Sequence, residues 1–164
     1  MQTLARYSVE EIMPLIGFDM PHVKFIVGLE KFSVNVASVR MECFKRNPIC
    51  VDCGIAGSVF MLQRHVYNPP KVGMNCFIKD CPWCALNNFN RRKKHTNMRE
   101  NPHLNLYGRM RSGRLILMTR DHIFPRSKGG GENIENMQTM CSTCNNRKAD
   151  IMPEEWKANV LQVG

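Results

Sequence analysis

The chain has 164 residues, 43% of them apolar and 23% charged, a globular composition that excludes a disordered chain. Its apolar runs, such as residues 25–29 and 115–118, are far too short to span a bilayer, and the opening MQTLARYSVEEIM lacks the apolar core of a secretory signal. The net charge of +9 is concentrated: residues 91–128 hold eleven Lys or Arg against Glu100 and Asp121, while the rest of the chain balances twelve basic against twelve acidic residues. A basic block of this kind favours a polyanionic partner, most often nucleic acid.

In chain order, Ser8 followed by Glu10 and Glu11 predicts a helix start, with Glu11 at the capping-box position. Ile12, Leu15 and Ile16 then share one face until Gly17, although Pro14 falls inside the stretch. Residues 24–36 are rich in Val, Ile and Phe and predict one or two strands. Residues 37–46 predict a short helix with Val39 and Cys43 on one face. Residues 1–49 thus read as a small mixed N-terminal extension without a functional signal. Residues 50–64, CVDCGIAGSVFMLQR, form a knuckle followed by a strand over 59–62. Residues 65–102 read as a loop-rich insertion, with Pro69-Pro70, many Asn, and a short helix around 84–94. The segments HLNLYG and RLILMTRDHI predict a hairpin across Arg111-Ser112-Gly113. A Gly-rich loop over 125–135 leads to a strand or turn, a helix after the last C-x-x-C, and a final short helix starting at Pro153.

Eight cysteines without an export signal predict metal ligands in a reducing compartment rather than a disulfide framework. Three C-x-x-C pairs are present: Cys50/Cys53, Cys81/Cys84 and Cys141/Cys144. Two such pairs make a closed structural site of four thiolates. Cys141/Cys144 can be completed by Cys50/Cys53, whose Gly54 lets the backbone fold back toward a metal, or by Cys81/Cys84, which lie closer in sequence. If the first pairing holds, Cys76, Cys81 and Cys84 are left for a second zinc, with His95 as fourth ligand and Cys43, His65 or His103 as alternatives.

The string MTRDHIFPRSKGGGENIENMQTMCSTCNNRKAD, residues 118–150, carries the chemistry. It sets Asp121 beside His122 at a strand end, Asn136 on the return segment and Asn145 on the helix. A carboxylate can hold a divalent ion while an imidazole takes a proton from an attacking water, and an Asn oxygen is a neutral ligand. Neighbouring Lys and Arg supply phosphate contacts.

With Asp121, His122, Ile123, Pro125, Ser127, Gly129, Gly130, Asn136, Gln138, Cys141, Cys144, Asn145 and Lys148 in order, this string resembles the HNH endonucleases with a ββα-metal core, particularly the zinc-stabilised phage-type forms. The resemblance covers residues 50–64 and 103–150. It implies an α+β fold with a ββα-metal core and a zinc knuckle in which Cys50 and Cys53 join Cys141 and Cys144. It further implies His122 as general base, Asp121 and Asn145 as ligands of a catalytic divalent ion such as Mg²⁺, and Asn136 as the residue that orients the His122 loop. Asn145 stands where many members have histidine, a change that bears on metal preference. The implied reaction is hydrolysis of phosphodiester bonds in DNA, by nicking or double-strand cutting, leaving 5′-phosphate and 3′-hydroxyl ends. Arg126, Lys128, Arg147 and Lys148 lie near this site in sequence and are the expected phosphate contacts, with Arg91, Arg92, Lys93 and Lys94, and the hairpin's Arg109, Arg111 and Arg114, further along the backbone. The nuclease unit is then 50–164, located in the cytoplasm, that of a bacterial host if the chain is phage-encoded. The competing reading is a zinc-stabilised nucleic-acid-binding module that keeps this fold without catalysis.

Overall fold

The computed structural model describes residues 1–17, 19–64 and 102–156. It opens with a strand that sequence reasoning missed, β1 (Gln2–Ser8), because QTLARYS has no clean apolar alternation. Ser8 closes the strand and caps α1 (Val9–Ile12): its Oγ accepts from the Glu11 N–H at 3.2 Å, and Glu11 Oε2 accepts from the Ser8 N–H at 2.6 Å. The predicted helix does not run on to Gly17. Pro14 cannot donate in a helix interior, and the chain tightens into a 3-10 turn over Met13–Leu15. Ile12 and Ile16 are both buried nonetheless.

Two strands follow, β2 (His22–Val27) and β3 (Glu30–Asn35), paired antiparallel around a turn that holds Gly28 at φ 61°. Ser38 caps α2 (Val39–Arg46), which buries Met41, Cys43 and Phe44. The knuckle leads into β4 (Gly57–Arg64), longer than its apolar residues announce, with Phe60, Met61, Leu62 and Gln63 all buried. The predicted hairpin is present as β5 (His103–Arg109) and β6 (Leu115–His122). After the loop come β7 (Met137–Cys141) and α3 (Ser142–Lys148), then a helical turn at 153–156. Sequence pattern opens the last major helix after the C-x-x-C. The structure opens it within the motif, with Cys141 as N-cap and Cys144 in the first turn.

The strands form one five-stranded antiparallel sheet in the order β1-β4-β5-β6-β7, and β2-β3 stands as a separate two-stranded sheet. The fold is α+β, with few helices. β1 lies against β4, and Ile12, Ile16, Met41 and Phe44 join Phe60, Leu62, Leu104, Leu106, Met118 and Met140 in a single core, so residues 1–49 share a sheet and a core with the later strands. Pairing of β5 with β6 covers only Tyr107–Arg109 against Leu115–Leu117. Beyond it α2 supplies the missing partner: Arg40 donates to Leu104 O at 2.7 Å and to Asn105 Oδ1 at 2.9 Å. This satisfies a backbone carbonyl that a continued ladder would otherwise take. No helix among the described residues is long and apolar enough to cross a membrane.

Candidate active site and cysteine cluster

β6, β7 and α3 make a ββα unit, and its register places the chemical residues. β6 pairs with β7 from Met118↔Cys141 to His122↔Met137, so Asp121 faces Gln138 and Thr119 faces Met140. Alternation along β6 puts Thr119 and Asp121 on one face and Arg120 and His122 on the other. α3 is tied to the first face at two points. Asn145 Nδ2 donates to Thr119 Oγ1 at 2.8 Å, and Lys148 Nζ lies 3.0 Å from Asp121 Oδ2. Lys148 also donates to His122 O at 2.7 Å. Thr119 Oγ1 donates its own hydrogen to Met140 O at 2.8 Å, so it can only accept from Asn145. That fixes the Asn145 amide, with its nitrogen toward Thr119 and its oxygen away from it.

Asp121 is buried, and its Oδ2 takes both Lys148 and Gln138 Nε2, the latter at 2.8 Å. A buried carboxylate needs such partners to stay ionised. His122 projects from the opposite face, partly exposed. Its Nε2 lies 3.3 Å from Glu132 Oε1, and the same carboxylate faces Arg120 at 3.2 Å and Arg126 at 3.6 Å.

The loop carrying these groups is clamped by Asn136. Its Oδ1 accepts from the Phe124 N–H at 2.8 Å, and its Nδ2 donates to Phe124 O at 3.1 Å and to Gly131 O at 2.9 Å. Gly130 has no room for a side chain: a Cβ there would meet Phe124 O at 1.9 Å and Asn136 Nδ2 at 3.0 Å. The glycine is required by this close backbone approach rather than by an unusual φ.

The four knuckle sulfurs gather at the N-terminal end of α3, where Cys141 is the N-cap and Cys144 lies in the first turn. Cys50, Cys53, Cys141 and Cys144 have ligand atoms all within 4.8 Å of one another. Gly54 at φ 71° turns the chain so that its N–H reaches Cys50 O at 3.0 Å, and Val51 N–H donates to Thr139 O, pinning the knuckle to β7. Among the described residues, Cys50 and Cys53 stand beside Cys141 and Cys144, while Cys81 and Cys84 lie outside them. A tetrahedral zinc with metal–sulfur bonds of about 2.3 Å requires sulfur–sulfur edges of about 3.8 Å. Cys53 Sγ and Cys141 Sγ lie 3.7 Å apart, so the donor set could hold such an ion. The thiols themselves conflict. Burial pushes Cys50 up, but backbone N–H groups of Cys53, Cys141 and Asp52 outweigh it and leave Cys50 below its usual value. Burial and hydrogen bonds to neighbouring side chains push Cys144 well above the usual thiol range, and burial raises Cys53. Several thiols this close cannot all ionise without a cation between them.

The predicted cations are distributed differently from expectation. Lys148 does not sit on a phosphate-facing surface: it is 1% exposed and serves Asp121 and His122 from inside. The sequence places it on the right helix, but helix phase turns it inward. Arg147 is exposed yet already committed, paired with Asp52 of the knuckle and stacked 5.3 Å over Trp156; its hydrogen bond and charge contact with Asp52 raise its pKa. Arg126 and Lys128 are exposed on the loop after His122. Arg109, Arg111 and Arg114 are exposed at the hairpin turn or beside it, and Arg109 donates to Gly113 O at 2.9 Å. Cys43, an alternative second-zinc ligand, is buried against Thr139 Oγ1 at 3.4 Å instead. Cys76, Cys81, Cys84, His95 and His65, with Arg91, Arg92, Lys93 and Lys94, lie outside the described residues, as does the rest of the predicted insertion up to residue 101. Sequence reasoning missed Thr119, Arg120 and Glu132. Strand alternation with Asp121 could have found Thr119, and alternation with His122 could have found Arg120. Glu132 carries no local signal.

Residues 116–161 match the profile of the HNH endonuclease family, a stretch that spans β6, the clamped loop, β7 and α3. Nothing among the curated proteins or the solved structures matches the chain. An HNH endonuclease domain points to nuclease activity on nucleic acid.

Proposed function

From the premise that the chain carries an HNH endonuclease domain, we propose that it is a metal-dependent endonuclease hydrolysing phosphodiester bonds in DNA, by nicking or double-strand cutting. The observation that carries this reading is the double tie of α3 to β6. It brings Asn145 and Lys148 onto the strand that ends in Asp121 and His122. In this reading the nuclease unit is 50–164, and residues 1–49 extend it with a further strand of the same sheet.

His122 acts as general base. Its ring stands partly exposed on the loop side of the site, where an attacking water can give up its proton. Asp121 and Asn145 hold the catalytic divalent ion. Both offer one oxygen whose partner atom is already engaged: Oδ2 of Asp121 is held by Gln138 and Lys148, and Nδ2 of Asn145 by Thr119, leaving each Oδ1 to a ligand. A carboxylate and an amide oxygen suit a hard dication such as Mg²⁺. When bound, such an ion polarises the scissile phosphate and stabilises the leaving oxygen. Asn136 holds the loop from Phe124 to Gly131 and so fixes the approach to His122. Zinc in the four-cysteine cluster is structural, joining the knuckle to the N-terminus of α3. The cytoplasm, reducing enough to keep these thiols free for metal, is the compartment this chemistry needs.

Conversion of supercoiled plasmid, with magnesium, manganese or chelator, tests the proposal. Wild type should nick or linearise the plasmid only with a divalent ion. His122→Ala should lose this while still retarding the plasmid on a gel, because the imidazole transfers a proton rather than attracting phosphate. Retardation without cleavage under any metal would instead establish a non-catalytic nucleic-acid-binding module.

A further inference from the structure

One acidic side chain stands inside the most basic part of the site. Glu132 directs Oε1 at His122 Nε2 (3.3 Å) and Arg126 (3.6 Å), and Oε2 at Arg120 (3.2 Å). We propose that Arg120 and Arg126, on either side of the His122 ring, form a cradle for one phosphate of the substrate strand, and that Glu132 fills this cradle in the free protein as an internal stand-in for that phosphate. The inference rests on nucleic acid being the substrate, and it adds to the site an anion subsite and a built-in competitor for it.

Three features support it. A carboxylate and a phosphodiester each present two oxygens sharing one negative charge, the anion geometry that guanidinium groups recognise. Two guanidinium groups against one carboxylate leave the group net positive, so exchanging Glu132 for a phosphate keeps the charge balance. The carboxylate is also free to leave. Its side chain is 51% exposed, whereas the backbone beside it is anchored through Gly131 O to Asn136. Release therefore needs only side-chain rotation into solvent, and exposed ion pairs of this kind hold weakly. A carboxylate built to orient the imidazole would be enclosed and would make its shortest contact with the ring. Glu132 is half exposed, and its shortest contact is with Arg120.

The test is Glu132→Gln, which keeps size and removes charge at an exposed position. Binding of a fluorescently labelled DNA duplex is followed by anisotropy, with calcium replacing magnesium so that binding is read without turnover. The variant should bind about 3- to 10-fold tighter, as expected for removing one nearby like charge at a protein surface. Its log Kd against log salt plot should steepen by about one. Arg120→Gln should weaken binding little in the wild-type background and should erase the gain in the Glu132→Gln background. A Kd within about twofold of wild type would overturn the inference, since surface charge effects smaller than this carry no specific contact. So would a gain that survives Arg120→Gln, which would reflect net charge alone. A fall in kcat for plasmid cleavage with Kd unchanged would also overturn it, by making Glu132 a positioning residue for His122. Wild type that binds duplex without ever cutting it would sink the nuclease reading while leaving the cradle to be judged by Kd. Wild type that cuts, with Glu132→Gln unchanged in Kd, would sink the cradle alone.

Discussion

Lys148→Met separates the buried role of this lysine from the phosphate contact that its sequence position suggests. The lysine and Asp121 side chains are 2% and 8% exposed, and Nζ stands 3.0 Å from Oδ2. Removing one member of a buried pair leaves an uncompensated charge and costs about 3–5 kcal/mol. Asp121 retains Gln138 Nε2 at 2.8 Å, which favours the lower end of that range. Loss of the Lys148 hydrogen bond to His122 O adds about 1 kcal/mol. A total near 4 kcal/mol, at about 2–4 °C per kcal/mol for a chain of this size, lowers Tm by roughly 8–16 °C. Thermal and urea unfolding of the zinc-loaded protein read this directly. Methionine keeps the buried volume, so a cavity does not confuse the result. Lys148→Met with Asp121→Asn removes both charges and should recover most of the loss. A divalent cation should stabilise Lys148→Met more than wild type, because it takes over the neutralisation of Asp121. A loss under about 1 kcal/mol, together with weaker DNA binding, would refute the buried assignment and return Lys148 to the surface.

The clamp and the cysteine cluster yield two further outcomes. Asn136→Ala should lower kcat at least about tenfold with a smaller change in KM, because it frees the loop beside His122 without touching substrate; Asn136→Asp should be no better, since its carboxylate would face Phe124 O and Gly131 O. Chelation, or Cys53→Ala, should lower Tm by more than about 10 °C and abolish cleavage, since structural zinc contributes about 10–16 kcal/mol in small zinc-finger peptides. Metal analysis of the same samples counts the sites: one zinc per chain would exclude the second site predicted at Cys76, Cys81, Cys84 and His95, and unchanged folding after metal removal would refute the structural role.

Sequence pattern reached some residues and not others for physical reasons. The capping box at Ser8 and Glu11, the hairpin turn at Gly113 and the left-handed Gly54 are local: each is decided by residues within four positions, and each stands where the pattern put it. The four cysteines are distant in sequence, with Cys53 and Cys141 separated by 88 positions, yet the ligand chemistry of paired C-x-x-C is specific enough to bring them together. β1 was not readable because its order comes from β4, a partner more than fifty residues away, and not from its own side-chain alternation. Lys148 and Arg147 were misplaced because adjacent helix positions differ by about 100° in direction, so charge alone does not tell a solvated cation from an inward one. One faces Asp121 and the other Asp52.

Direction along an element also divides the charges of the site. β6 alternates, so the two halves of the proposed chemistry fall on opposite faces of one strand. Asp121 and Thr119 point toward α3, where Lys148 and Asn145 hold them, with Asp121 and Lys148 both buried. Arg120 and His122 point toward the loop, where Glu132 and Arg126 are exposed. The face proposed to hold the metal gains from rigidity, because a hard dication requires its oxygens at set distances. The phosphate-facing side gains from exchangeability, because the strand must enter and leave. A buried cation behind Asp121 and a displaceable anion in front of His122 are the arrangements that meet those two requirements with charges supplied by one strand, one helix and one loop.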